Sequence, residues 1–269
     1  MHGLGNDFMV IDAVNQRINV TPEKIMALAN RHTGIGFDQC LLIKPSPSAD
    51  VDFLYEIINA DGSSVAQCGN GARCIARFIA RNKLSTKKII TVATKTRKMT
   101  LQNNRDETVS VSMGCPQLNP ADIPLLVDNQ QSLYTLHLGA AETCAVHAVN
   151  VGNPHAILHV PDVDDAPVNR LGKQISQHPI FPEQVNVGFM QILNPNHIKL
   201  RVFERGCGET LACGSGAVAA AVVGRLCHQL EKDIKVSLPG GELSVRWNKP
   251  QEEVLLTGPA LFVYDGQLI

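Results

Sequence analysis

Short apolar runs, many alternating with polar residues and many β-branched, recur along the whole chain and predict a protein built mainly of strands. The pattern places strands at 8–12, 40–44, 89–93, 108–113, 143–149, 156–160, 188–193, 198–203, 234–238 and 254–257. Helices are fewer. Thr21-Pro22-Glu23 reads as an N-cap followed by proline at the first helical position, opening a helix to about Arg31, with a counterpart at about 167–177. From Ala72 the apolar residues Ala72, Ile75, Ala76 and Ile79 fall at i, i+3, i+4 and i+7, which predicts a helix buried along one face. The stretch from Gly214 to about Leu226 is apolar on nearly every side, so this helix is expected to be enclosed within a curved sheet. Mixed strands with two helices per half give an α+β class rather than an alternating βαβ fold.

The pattern also repeats. N-A-D-G-S-S-V-A-Q-C-G-N-G-A around Cys68 and E-R-G-C-G-E-T-L-A-C-G-S-G-A around Cys213 each set a cysteine before a Gly-x-Gly-Ala helix start, 145 positions apart. Asn59 and Glu204 lie nine residues ahead of their cysteines. Gly5-Asn6-Asp7 is echoed by Gly152-Asn153-Pro154, and Gln39 and Asn186 each follow the preceding asparagine by 33 positions. Matched landmarks in one order imply two pseudo-symmetric domains. The proline-rich segment holding Pro116, Pro120 and Pro124 sets the division near residue 115, giving domains 1–115 and 116–259.

Composition narrows the function. A net charge of -1 and 4% aromatic residues give no reason to expect nucleic acid, and Lys87-Lys88 with Lys95 to Lys98 reads as a solvated hairpin. No apolar stretch reaches the length of a membrane span and no leader-like start is visible, so a cytoplasmic protein without membrane partners is expected. Eight cysteines in that compartment are expected reduced.

A cysteine at a helix N-terminus meets the positive end of the helix dipole and unpaired N–H groups, which favour thiolate. Flanking glycines let a carboxylate approach those N–H groups. If the pseudo-twofold brings the two helix starts together, Cys68 and Cys213 face each other across one ligand. That geometry suits taking a proton from one face of a carbon and returning one to the other. A carbon α to a carboxylate is weakly acidic, so preorganised donors at the carboxylate must stabilise the carbanion. Nothing in the sequence offers a pyridoxal lysine or a flavin fingerprint, so no cofactor is expected.

Each residue also has a plainer reading. A lone buried cysteine is a small hydrophobe; two copies with aligned polar partners turn the balance. Neither copy is Cys-x-x-Cys, and the Cys68–Cys74 and Cys207–Cys213 spacings match no common zinc pair, so no metal is expected. Cys40, Cys74, Cys115, Cys144 and Cys227 read as packing. Asn6, Asn59 and Asn153 are turn formers or ligand contacts. Glu204-Arg205 is a solvated pair or a grip on amino and carboxylate groups. His155 is a loop histidine or tunes a thiol.

With M-H-G-L-G-N-D-F at 1–8, A-D-G-S-x-V-x-x-C-G-N-G-A-R-C at 60–74, V-N-V-G-N-P-H at 149–155, R-V-x-E-R-G-x-G-E-T-x-A-C-G-S-G-A at 201–217 and G-P-A-x-x-V-Y-D-G at 258–266, the chain closely resembles diaminopimelate epimerases over essentially its whole length. The resemblance implies two α+β domains, each a mixed, mostly antiparallel sheet wrapped around a central helix, with 260–269 returning to the first. It implies cofactor-independent interconversion of LL- and meso-2,6-diaminopimelate for lysine and peptidoglycan synthesis, with Cys68 and Cys213 as acid/base thiols. Gly69-Asn70 and Gly214-Ser215 would hold the reacting carboxylate. Asn6, Gln39, Asn59, Asn153, Asn186, Glu204 and Arg205 would hold the rest of the substrate, with His155 and Glu204 tuning the thiols. Tyr264 would lie at a homodimer interface. Members of that family carry a few residues ahead of M-H-G-L-G that complete the first strand. A proline racemase-like isomerase, or a thiol-based binding or redox protein, is the competing expectation.

Overall fold

The computed structural model of the protein describes residues 1–46, 48–65, 69–139 and 142–268, with only the backbone of Val65. Cys68, expected as one of the two thiols, lies outside the described residues. The chain forms two compact units, Met1–Ser112 with Thr257–Ile269, and Met113–Leu256.

In the first unit β1 (His2–Gly3) and β2 (Asn6–Asp12) form a hairpin. Leu4 and Gly5 both take positive φ (58° and 89°), the conformation whose twist matches paired strands, and so deliver Asn6 as the first residue of β2. The helix α1 (Pro22–Ala29) starts where Thr21 caps it, the hydroxyl accepting from the Lys24 N–H at 3.4 Å. It leads to β3 (Gln39–Pro45), parallel to β2. Then β4 (Phe53–Asn59) pairs antiparallel with β3, and β5 (Ser64–Val65) folds back on β4. After α2 (Gly69–Arg81), β6 (Ile89–Ala93) runs parallel to β4, and β7 (Lys98–Asn103) and β8 (Val109–Ser112) complete an antiparallel meander.

The β3 run Cys40-Leu41-Leu42-Ile43 is apolar without alternation because both faces of this sheet are covered. Cys40 and Leu42 pack with Ile25 and Ala29 of α1 and with Phe37. On the other face a Cβ at Gly71 of α2 would strike the Tyr55 hydroxyl at 2.4 Å and Leu41 at 3.2 Å. Glycine therefore sets how closely α2 approaches the sheet. Ala72, Ile75, Ala76 and Ile79 are all fully buried, as the spacing predicts, while Ala80 and Arg81 are exposed.

The second unit repeats this plan. It opens on β9 (Tyr134–His137) and β10 (Thr143–Asn150), which pair with each other; β11 (Pro154–His159) pairs antiparallel with β10. The helix α3 (Val168–Ser176) leads to β12 (Asn186–Asn194), parallel to β11. Next β13 (His197–Glu204) pairs antiparallel with β12, and β14 (Gly208–Thr210) folds back on β13. After α4 (Gly214–Cys227), β15 (Asp233–Leu238) lies parallel to β13 and β16 (Gly241–Arg246) turns back beside it. A last strand, β17 (Leu255–Gly258), carries the chain into the first unit. The parallel register pairs Phe8 with Gln39 in one unit and His155 with Asn186 in the other. The matched 33-residue spacing in the sequence is thus a matched strand register.

The outer face of the second sheet, including Val187 and Phe189, packs with Val168 and Ile175 of α3. The other face holds α4, whose Ala217, Val218, Ala219, Ala220, Ala221 and Val222 are all fully buried and which touches β10, β11, β12, β13, β15 and β16. The helix with no polar face is enclosed, as its sequence requires.

The cysteine expectations need a correction. None of the described cysteines is in a disulfide, and Cys40 and Cys74 are buried, but Cys115 and Cys227 are exposed rather than packed. Cys227 is the last residue of α4, where the helix leaves its sheet, and Cys115 sits in an irregular segment with its thiol on the Gln251 carbonyl.

Candidate active site

The second unit's half-site is built on the first turn of α4. Cys213 is the N-cap residue, with extended backbone (φ -120°, ψ 111°), and its Sγ accepts from the Gly216 N–H at 3.3 Å. A Cβ at Gly216 would lie 2.9 Å from Val202 and 3.3 Å from Sγ, so glycine is needed for the turn to close on β13 and the thiol together. Gly71 and Gly216 are equivalent positions in the duplication. First-turn N–H groups have no partner within their own helix, which leaves those of Gly214 and Ser215 to bind whatever lies beside the thiol.

Two side chains act on Cys213. Ser215 Oγ lies 3.5 Å from Sγ. The Glu204 carboxylate lies close enough for its charge to act on the thiol, and it accepts from the Thr210 hydroxyl at 2.6 Å. β13 ends at Glu204 and β14 brings Thr210 back over it, so a three-residue strand fixes the acid's rotamer. Burial raises the Glu204 pKa, and the Thr210 hydroxyl and the neighbouring thiol only partly offset that. For Cys213 the sequence-based expectation of a thiolate is reversed. Burial pushes its pKa well above the ordinary thiol value, the neighbouring Glu204 charge pushes it further, and the bonds from Ser215 and Gly216 pull it down less. As it stands Cys213 keeps its proton as a thiol.

His155 is fully buried. Its Nε2 lies 3.1 Å from Asn153 Oδ1 and 3.0 Å from Ser215 Oγ, so it contacts the thiol's neighbour. Burial, and after it the Arg205 charge, lowers its pKa to about 3, and the ring stays neutral at physiological pH. Neutral imidazole with Nε2 bonded to an amide oxygen is an orienting group for Ser215. Asn186, also buried, donates to the Pro154 carbonyl at 3.3 Å and accepts the Arg205 backbone N–H at 3.0 Å. The Arg205 guanidinium donates to the Glu183 carbonyl at 2.8 Å. Asn153, His155, Asn186, Glu204, Arg205, Cys213 and Ser215 are thus linked by contacts within one unit.

An acid-stability prediction follows from His155. Its pKa falls from about 6.5 unfolded to about 3 folded, so between those values the unfolded chain binds a proton that the folded unit refuses. Stability is full above about pH 6.5 and declines as pH drops toward 3, by on the order of a few kcal/mol. Urea midpoints followed by fluorescence of Trp247, the chain's one tryptophan, should show this slope, and His155→Gln should flatten it. An unchanged slope in the variant would mean that other groups set the acid limit.

The first unit gathers the equivalent residues. Asn6 Nδ2 donates to Asp38 Oδ2 at 2.9 Å, and Asn6 Oδ1 accepts from Asn70 Nδ2 at 3.3 Å. Gln39 faces Asn59 across β3 and β4 and donates to its Oδ1 at 2.9 Å, while Asn59 donates to Ser63. Gln39 Oε1 is buried with no hydrogen-bond partner among the described residues, an acceptor that a ligand's N–H would satisfy. Gly69 and Asn70 open α2. Tyr264 is 61% exposed, and Leu261, Val263 and Leu268 of the same C-terminal segment are exposed too.

Sequence reading missed three partners. Asp38 and Thr210 look like ordinary loop and strand-end residues, and only strand register brings them to Asn6 and Glu204. Arg73 stands beside the apolar stripe of α2, a position whose neighbours Ala72 and Ala76 gave the available signal that it is buried. Among the described residues no cluster of three or more histidine, cysteine or acidic side chains is placed to hold a metal ion. No described helix is long and apolar enough to cross a membrane.

Solved structures of low sequence identity share this two-unit α+β architecture. A hydroxyproline epimerase from Agrobacterium vitis aligns with a TM-score of 0.68 at 14% identity, covering 98% of this chain and 89% of that one. A Bacillus anthracis phenazine biosynthesis protein of the PhzF family aligns at 0.66 and 16%, covering 100% and 95%. These establish the fold class. The diaminopimelate epimerase family model matches residues 1–119 and 147–263, and the chain belongs to that family of isomerases. The diaminopimelate epimerases of Legionella pneumophila strains Philadelphia 1 and Corby are each 60% identical to it over 269 residues, covering 100% of this chain and 97% of theirs.

Proposed function

We propose that the protein converts LL-2,6-diaminopimelate to the meso isomer without a cofactor, by a two-base mechanism using Cys68 and Cys213, in the supply of lysine and peptidoglycan precursors. The observation that carries this reading is Cys213, a buried thiol capping α4 against Glu204, in a chain that matches the family along both halves. In the forward direction Cys68, as thiolate, takes the α-proton and becomes a thiol. The electron pair left on the α-carbon delocalises into the carboxylate, held by first-turn N–H groups at Gly214-Ser215 and Gly69-Asn70. Cys213 then delivers its proton to the opposite face and becomes the thiolate. The reverse reaction starts from that state.

Glu204 would rise and fall in influence with this exchange. Its charge favours the thiol form of Cys213 and so drives the proton back after each turnover. Asn6, Gln39, Asn59, Asn153, Asn186, Glu204 and Arg205 would hold the remainder of the substrate, with the unsatisfied Gln39 Oε1 suited to an ammonium. A cytoplasmic homodimer burying Tyr264 is part of this proposal; the exposed apolar side chains along that segment support it.

The test is incubation of reduced protein with LL-diaminopimelate in deuterated water and no added cofactor. Meso product carrying one solvent deuteron at the inverted centre is expected. Folded protein giving neither product nor α-exchange would overturn the reading.

A further inference from the structure

The asparagines proposed to contact substrate in the first unit lie in a row of hydrogen bonds with a fixed direction. Arg73 is fully buried. Its Nε donates to the Pro259 carbonyl at 3.1 Å, one terminal nitrogen to the Gly69 carbonyl at 3.4 Å, and the other to Asn70 Oδ1 at 2.9 Å. Guanidinium has donors and no acceptor, so the atom of Asn70 that faces it must be the amide oxygen. Asn70 Nδ2 is thereby turned to Asn6 Oδ1 at 3.3 Å, and Asn6 Nδ2 to Asp38 Oδ2 at 2.9 Å. A carboxylate only accepts, and Asp38 is itself held by Arg31 at 2.8 Å. The row starts at a pure donor and ends at a pure acceptor. Flipping either amide would set donor against donor at one end and oxygen against oxygen at the other.

The second unit is oriented differently. Val218 stands at the position equivalent to Arg73, and the residues equivalent to Asn6 and Asn70 are Asn153 and Ser215. There neutral His155 bridges the pair. The duplication has kept the two polar positions and replaced the group that orients them.

We propose that Arg73 is a positioning residue for the Asn6–Asn70 amide pair, holding both amides in the one orientation in which they meet the substrate. This rests on the assignment of Asn6 and Asn70 as substrate contacts made above. Arg73 acts through Asn70, so its effect has to disappear when Asn70 cannot respond.

The test pairs Arg73→Met and Arg73→Lys with Asn70→Ala and the double variant Arg73→Met with Asn70→Ala. Arg73→Met should raise KM for diaminopimelate about tenfold or more with a smaller change in kcat, and Arg73→Lys, which keeps a donor toward Asn70, should recover most of the loss. The double variant should bind no worse than Asn70→Ala alone. Nitrogen-15 NMR should show a protected Asn70 side-chain amide in the wild type and Arg73→Lys and an unprotected one in Arg73→Met. Unchanged KM and amide signals in folded Arg73→Met, or full additivity in the double variant, would overturn the proposal. Should Arg73→Met fail to fold, Arg73→Lys decides the matter alone: an unprotected Asn70 side-chain amide with KM at the wild-type value is then the opposing result. If the wild type does not turn over diaminopimelate, the functional reading fails while the amide signals still decide the role of Arg73.

Discussion

Replacing Cys213 by alanine is expected to lower epimerisation of diaminopimelate by about a thousandfold or more, since a positioned acid or base contributes roughly 10²–10⁴ in rate and inversion here needs both. Cys213 is buried, but removing one sulfur from a helix cap leaves a small cavity, so the loss in stability should be about 1–2 kcal/mol and the protein should remain folded. The variant keeps the first-turn donors of α4 and Glu204, so substrate should still bind and turnover, rather than KM, should collapse. Cys68→Ala should lose a similar factor, and the double variant should be little worse than either single one, because the thiols work as a unit. Kinetics of the three purified variants in both directions would check this. Turnover near wild type in either single variant would sink the two-base mechanism, and losses that multiply would mean that the thiols act on separate steps.

What the sequence made legible divides by the kind of physics involved. Apolar runs such as those of β3, β12 and β13 announce strands because the side chains are buried on at least one face. α4 announces its enclosure because no side of it is polar. Thr21-Pro22 announces α1 through local capping chemistry. The duplication was legible because equal spacing along the chain becomes equal strand register.

Other strands were hidden. In β7, Met99 and Leu101 are buried but Lys98, Thr100 and Gln102 face solvent, leaving two apolar residues to carry the pattern. β4 reads as a broken apolar run because Glu56 sits among residues that pack on both faces. β14 is only three residues long, yet it sets Thr210 on Glu204. The Cys213 expectation failed for a related reason. Helix position is local and visible, whereas the burial and the Glu204 carboxylate that outweigh it come from β13 packing against α4 and β14 folding back on β13. Local propensity and periodicity were readable; contacts that depend on several elements meeting were not.

Ala220→Glu should unfold the second unit. Ala220 lies mid-helix in α4, fully buried, with strands of the sheet around the helix, so a carboxylate placed there has neither solvent nor a partner. The cost should exceed about 4 kcal/mol, a large share of the 5–15 kcal/mol that holds a typical domain together. Ala80→Glu makes the same chemical change on the exposed face of α2 and should shift stability by no more than about 0.5 kcal/mol. Trp247 reports on the second unit directly, being buried there with its indole N–H on the Glu252 carbonyl at 3.0 Å. Its emission should move to the red in Ala220→Glu without denaturant and stay native in Ala80→Glu. Native emission and an unchanged urea midpoint in Ala220→Glu would mean that α4 has an open side, and the close approach of Gly216 to Val202 that seats the Cys213 thiol would have to be abandoned with it.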